Sequence, residues 1–321
     1  MTKDLTSGSP LKVILLFSLP LVLGNLFQQF YALADTIIVG RFCVVGALAS
    51  VGATGSVNYL ILGFVIGVCN GFAIPIAQLF GARDYSDLRR HVANAAWLCI
   101  AASVVLTIST VALTRPMMQL MQTPDDIIDG AVIYIGWIFA GIPFIFLYNM
   151  VAAIMRALGD SKTPLYFLIL TSALNIGLDL LFMLGLHMGV EGAALATVVA
   201  QTVAALGLYL YTRHRFPALR LRKADRVVDF PSIRRLSSYS LLTCVQQSVM
   251  NFGILLVQGL VNSFGTAVMA AFAAAVKIDS FAYMPVQDFG NAFSTFIAQN
   301  FGAGRTDRIR RGIRSAVWLT T

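Results

Sequence analysis

Charge is what this chain has little of: Asp, Glu, Lys and Arg make up 12% of its 321 residues, against 58% for the hydrophobic set. Soluble domains carry about 25% charged residues. So small a share, with a mean hydropathy of +0.78, excludes an ordinary water-soluble domain. Cysteine and histidine are scarce as well, at four and three. Cys43, Cys69, Cys99 and Cys244 show neither paired nor metal-ligand spacing, and His91, His187 and His214 read as solvated positions at loop or span edges without a second ligand nearby. A disulfide framework and a zinc site are thereby left without support. No phosphate-binding loop of the form GxxxxGK[ST] is present, so an ATP-driven pump has none either.

What is present is one long apolar run after another. A hydrocarbon core of about 30 Å takes about 20 helical residues to cross. Stretches of that kind run from Val13 to Val39, Leu48 to Phe80, Val92 to Leu113, Ala131 to Met155, Leu165 to Leu186, Ala193 to Tyr211, Leu236 to Val261 and Ala267 to Phe296, and a ninth begins near the end. They are continuous rather than alternating, which points to helices and not to barrel strands. The fold class is therefore an all-α membrane protein, a polytopic helical bundle. "ALA" at 32–34 imitates a signal-peptide cleavage site, but its stretch is too long and too polar near its end, so the first span is expected to remain.

The formal charge of +8 could suggest nucleic acid, but its placement argues for topology. With a cytoplasmic N-terminus, twenty of the twenty-three Lys and Arg fall on the inner side; Arg41 and Arg115 fall outside and Lys277 within a span. That distribution obeys the positive-inside rule. The expected partners are the bilayer, including its anionic lipids, and no nucleic acid.

Residues 76–98, "IAQLFGARDYSDLRRHVANAAWL", align without gaps to residues 297–319, "IAQNFGAGRTDRIRRGIRSAVWL", with eleven of twenty-three positions identical. Gln78/Gln299, Gly81/Gly302, Arg90/Arg311 and Trp97/Trp318 match, and Pro10 meets Pro231 at the same offset. Six spans separate the copies, an even number, so the repeat is parallel. Such repeats are typical of secondary transporters with a pathway between the halves. The expected division is 1–212, an N-terminal six-helix lobe; 213–235, a basic cytoplasmic linker; and 236–321, a partial C-terminal lobe. The second copy reads as incomplete, which implies a longer gene or a truncated chain.

An ionisable residue in mid-span costs several kcal/mol unless it faces protein or water. Asp35, Asp179, Asp279 and Asp288 are in that position. Gln28, Tyr31 and Asp35 share one face of the first span, and Asn175 and Asp179 are spaced i, i+4 in the fifth. One reading is that these groups, with Thr197, simply hydrogen-bond helices together. The other uses the two states of a carboxylic acid: carboxylates, an amide oxygen and a hydroxyl can hold a proton, or Na⁺ through oxygen ligands. Pro20 removes a helix hydrogen bond in the first span, as a hinge or as a passive kink. Lys277, Phe281, Met284 and Asp288 follow one face of the eighth span. Gln28, Lys277 and Asp288 are candidates for a substrate pathway, with Lys277 able to neutralise Asp288 only through water or a partner helix.

"PLVLGNLFQQFYALADTIIVGR", "AQLFGARD", "MRALGDSKTPLYF", "LNIGLDLLF" and "GVEGAALATVVAQ", in that order, make the whole chain resemble the multidrug and toxic compound extrusion (MATE) family, and within it the prokaryotic DNA-damage-inducible type. The resemblance implies two six-helix lobes around a V-shaped cavity. It also implies export of small organic, often cationic, compounds in exchange for H⁺ or Na⁺. On the matching positions it implies a coupling-ion site of Tyr31, Asp35, Asn175, Asp179 and Thr197, with Na⁺ as a metal candidate at Asp35, Asn175, Asp179 and Thr197. Pro20 matches the proline that bends the first helix. The further expectations are no cofactor beyond the coupling ion, a monomer, and a multi-pass protein of the inner (plasma) membrane. The departure from the family is about three and a half missing helices.

Two rivals complete the reading. A flippase of lipid-linked precursors is expected to carry several basic residues inside its cavity, and the first lobe shows none in mid-span. An intramembrane aspartyl protease using Asp35 and Asp179 would need a Gly-x-Gly-Asp motif, whereas "IGL" precedes Asp179.

Overall fold

The computed structural model describes residues 4–42, 45–121, 123–262 and 266–320, with side chains left undescribed in parts of the first, second, eighth and ninth helices, including those of Tyr31, Asp35, Lys277 and Asp279. Among the described residues there are ten α-helices and no strand: α1 Pro10–Phe42, α2 Val45–Gly81, α3 Tyr85–Leu120, α4 Ile128–Ala140, α5 Ile142–Ala157, α6 Lys162–Leu180, α7 Val190–Arg215, α8 Phe230–Asn262, α9 Thr266–Gly302 and α10 Thr306–Thr320. All eight expected spans are helical, and α10 stands where the ninth is expected to begin.

The fourth span is broken where a single helix was expected. α4 and α5 meet at Gly141 with a bend of 46°. Pro143 stands in the first turn of α5 and lacks the N–H that would bond back to the Phe139 carbonyl. A Cβ on Gly141 would lie 3.0 Å from Val198 Cγ2, so α7 packs tightly against the kink. The fifth span departs from expectation too: α6 ends at Leu180 and one π-helical turn, Leu181–Gly185, follows directly on Asp179.

α2 is the central helix, packed on α3, α4, α5, α8 and α9. Its partners α4 and α5 supply fully buried Ile135, Phe139, Ile142, Phe146 and Met155. α7 joins them through a buried alanine series, Ala193, Ala194, Ala196, Ala200, Ala204 and Ala205, since small side chains allow close helix approach where lipid gives no hydrophobic drive between helices. The outer faces are apolar: Ile100, Val104, Val105 and Ile108 of α3 are exposed, Val105 and Ile108 by 65% each. A surface of this kind is stable against acyl chains and not against water. By length and composition, five of the described helices can cross a membrane, or six with α4 and α5 as one span.

The repeat has a structural counterpart at the end of the bundle where the basic residues lie. After α2, the Ala82, Arg83 and Asp84 N–H groups bond to the Gln78, Phe80 and Leu79 carbonyls; after α9, those of Ala303, Gly304 and Arg305 bond to Gln299, Phe301 and Asn300. Each partner is shifted by 221. Arg83 and Gly304, one offset apart, both adopt left-handed backbone, at φ 60° and 67°. The two copies also pack on each other. A Cβ on Gly81 would sit 1.9 Å from the Gln299 carbonyl oxygen, and one on Gly302 would sit 1.8 Å from that of Gln78.

Segments leading into α1 and α8 fasten the same end. Arg308 donates to the carbonyls of Leu5, Ser7 and Gly8 and to Asn300 Oδ1, while fully buried Leu5 donates its N–H to Gln299 Oε1. Around α3, Arg89 pairs with Asp225 at 3.1 Å, the Trp97 indole donates to the Arg226 carbonyl, and Asn94 bonds to the backbone of Val227 and Asp229. His91, read from sequence as a solvated edge residue, is only 3% exposed, with Nδ1 3.0 Å from the Asp87 carbonyl and 3.5 Å from Ser232 Oγ. The linker covers it. The carboxyl of Asp225 is held below the usual carboxylate range by the Arg222 backbone N–H and then by the Arg89 guanidinium, and that of Asp229 by Ser232.

Candidate functional site

α6 is built inside out. Its buried residues are Thr163, Pro164, Thr171, Asn175 and Asp179, whereas Tyr166 and Leu170 are exposed by 64% and 57%. In a water-soluble helix the polar side would face outward; here it faces protein, as it must when the outside is hydrocarbon. The start of the helix is fixed by Asp160, whose carboxylate accepts from the backbone N–H groups of Lys162 and Thr163 and from the Thr163 hydroxyl.

Thr171, Asn175 and Asp179 follow at intervals of four and form one stripe. Asn175 is 1% exposed and donates through Nδ2 to Thr197 Oγ1 of α7 at 3.2 Å; Asp179 is fully buried one turn further on. Thr171 turns its hydroxyl back to the Phe167 carbonyl at 2.6 Å. Three of the five residues expected at a coupling site are thus on adjoining faces of α6 and α7.

Tyr31 and Asp35 belong to α1, which packs along α6. Their side chains lie outside the described ones, but backbone register places the positions. Gly24 of α1 is within 3.7 Å of Leu165 and Leu168, measured from its built Cβ. Both helices run in the same direction from the basic end, so eleven residues further, about 16 Å at 1.5 Å per residue, position 35 is level with 176–179. Pro20 lies inside α1, where its missing N–H leaves the Leu16 carbonyl without a helical donor.

Of the three expected pathway residues, Gln28 and Asp288 have described side chains. Gln28 is exposed. Asp288 is 4% exposed and accepts from Asn25 Nδ2 of α1 at 2.7 Å on both carboxylate oxygens. Lys277 is eleven residues away along α9, about 16 Å, and its side chain lies outside the described ones. Among the cations with described side chains, Arg156, on the last turn of α5, reaches towards this level and donates to Asn70 Oδ1 of α2 at 3.3 Å. Asn25, Asn70 and Arg156 were missed in the sequence because each looked ordinary alone. Asn25 and Gln29, spaced i, i+4 in an apolar span, were the available signal for the first; Arg156 was counted only as an inner-loop charge.

The model of the family MatE matches residues 20–181 and 243–321, three quarters of the chain and both copies of the repeat. The chain belongs to the MatE family. Members of this family are membrane transporters rather than enzymes, and the helices and apolar outer faces of the described residues agree with a multi-pass membrane protein. MatE relatives include the probable multidrug resistance proteins YoeA and YpnP of Bacillus subtilis (strain 168). YoeA is 30% identical over 326 residues, spanning 99% of this chain and 70% of the relative; YpnP is 29% identical over 307 residues, spanning 95% and 68%. A solved MOP superfamily transporter from Pyrococcus furiosus superposes with a TM-score of 0.91 at 24% identity over 98% of this chain and 70% of its own. That likeness shows the fold alone.

Proposed function

We propose that this chain belongs to an antiporter that exports small organic, cationic compounds in exchange for H⁺ or Na⁺ by alternating access. The observation that carries the reading is the buried stripe of α6, an apolar helix long enough to span a membrane, where Asp179 and Asn175 face protein and Asn175 bonds to Thr197. The coupling ion occupies this stripe, with Asp35 and Tyr31 completing it from α1. A protonated or Na⁺-bound carboxylate is neutral and a released one is charged. The two states favour different helix arrangements, which is the differential interaction an ion needs to shift an equilibrium. Pro20 is the hinge of α1, and the π-helical turn after Asp179 gives α6 a second adaptable point. Gln28, Lys277 and Asp288 lie on the substrate pathway.

The remaining parts follow from the same reading. Residues 1–212 form one lobe and 236–321 part of the second, joined by the basic segment 213–235. The N-terminus is cytoplasmic, the membrane is the plasma membrane, the protein is monomeric, and no cofactor beyond the coupling ion is used. The names of YoeA and YpnP support export of drugs over lipid flipping.

The test is efflux of a fluorescent organic cation from vesicles under an imposed pH or Na⁺ gradient. Wild type should export with one of the two gradients, and Asp35→Asn or Asp179→Asn should abolish the gradient dependence while inserting normally. Undiminished gradient-driven efflux by both variants would remove these carboxylates from the mechanism.

A further inference from the structure

Resting on the export reading, we propose that Arg156 and Asp288 form a dipolar subsite at the inner part of the pathway, which takes an amphiphile bearing an anionic group, such as a carboxylate, beside its cationic centre. The two residues come from different parts of the repeat. α2 and α9 cross where Gly81 meets the Gln299 carbonyl and Gly302 that of Gln78. Asn70 precedes Gly81 by eleven residues and Asp288 precedes Gln299 by eleven, so both stand about 16 Å above the crossing. Arg156 reaches Asn70 from α5, and Asn25 reaches Asp288 from α1. Four helices therefore deliver four polar side chains to one level of an otherwise apolar interior.

A purely structural ion pair would close on itself, because a buried charge is stable only when matched and hydrogen-bonded. This one does not. Arg156 and Asp288 carry opposite charges at this level, yet no hydrogen bond or ion pair joins them; each is held by an amide. A guanidinium has five N–H donors in a planar fork suited to a carboxylate, and Arg156 directs one of its hydrogen bonds to protein, at 3.3 Å. It is half-buried, as are Asn25 and Asn70, so the cluster keeps an accessible side. On that side a ligand carboxylate takes the guanidinium fork, and an adjacent ring or amine cation takes the unused lone pairs of Asp288. Gln29 and Met284, one turn along from Asn25 and Asp288 and 3.7 Å apart, line the approach with one polar and one soft apolar group.

Rhodamine 123 and rhodamine 110 test this directly, since they share a cationic ring system and differ in that the carboxyl is esterified in the first and free in the second. Binding to the purified 321-residue chain is read by fluorescence anisotropy at neutral pH. Wild type should bind rhodamine 110 at least as tightly as rhodamine 123. Arg156→Gln should weaken rhodamine 110 about tenfold relative to rhodamine 123, in keeping with a charge-assisted hydrogen bond. Arg156→Lys should lose less, and Asp288→Asn should weaken both dyes together. Equal loss of both dyes in Arg156→Gln, an unchanged ratio, or a wild type that binds neither or prefers the ester tenfold overturns the subsite. Gradient-driven efflux is scored separately. Selective binding without efflux keeps the subsite and removes the export reading; efflux with an unshifted ratio does the reverse.

Discussion

Gly81 and Gly302 show how much of this fold depends on single residues. Each leaves room for the backbone carbonyl of the other copy's glutamine, at distances where no Cβ fits. Gly81→Ala or Gly302→Ala should therefore push α2 and α9 apart, and overpacking of this kind costs about 1–3 kcal/mol. A lowered unfolding midpoint of purified protein checks it; an unchanged midpoint would show that the crossing is loose. Gly71 acts similarly on α8, where a Cβ would lie 2.4 Å from Ser240 Cα; beside it Thr243 Oγ1 donates to the Gly67 carbonyl at 2.7 Å and Ser240 Oγ to that of Val68 at 3.0 Å. At the ion stripe, Thr197→Val keeps shape and removes the hydroxyl that receives the Asn175 amide. Membrane hydrogen bonds of this type contribute about 0.6 kcal/mol, so stability should barely change while the ion dependence of transport shifts. Arg83 holds a left-handed conformation that its repeat mate Gly304 adopts freely. Arg83→Gly should raise the unfolding midpoint slightly, because its ion pair with Asp4 is exposed and screened.

At the scale of elements, the spans were legible because hydrophobic length is a direct consequence of bilayer thickness. The breaks in them were not. Pro143 and Gly141 mark the kink of the fourth span, but a proline inside an apolar run predicts a bend only when neighbours decide where the freed carbonyl goes; Pro20, Pro75 and Pro285 sit inside unbroken helices. The π-helical turn after Asp179 has no sequence signature comparable to a cap. The linker was read as basic loop, yet its short acidic motif orders it against α3. Asp225 and Asp229 titrate below their unfolded values. Their contribution is present above about pH 4 and lost as pH falls through the folded values. Acidification below that point should release the linker first, seen as a change in Trp97 emission in a Trp137→Phe/Trp318→Phe background. In that background Asp225→Asn should show the released signal already at neutral pH. A signal constant down to global unfolding would contradict it.

On the scale of the whole molecule, the repeat was the most informative feature of the sequence, because eleven identities at one offset require a shared local structure. It appears in space as paired carbonyl–glycine contacts and matching helix ends at one end of the bundle. What the repeat could not convey was which residues meet across it, such as Asn25 of α1, which donates to Asp288 of α9. The ion stripe was legible for the opposite reason: Asn175 and Asp179 are neighbours on one helix, and polarity within an apolar run stands out without any knowledge of packing. The measurement that tests the account most directly is ion release on dye binding. Purified protein in weakly buffered solution is mixed with an organic cation, while proton release and displacement of radioactive Na⁺ are followed. Wild type should release one of the two ions and Asp179→Asn neither; equal release by the variant would place the coupling ion elsewhere.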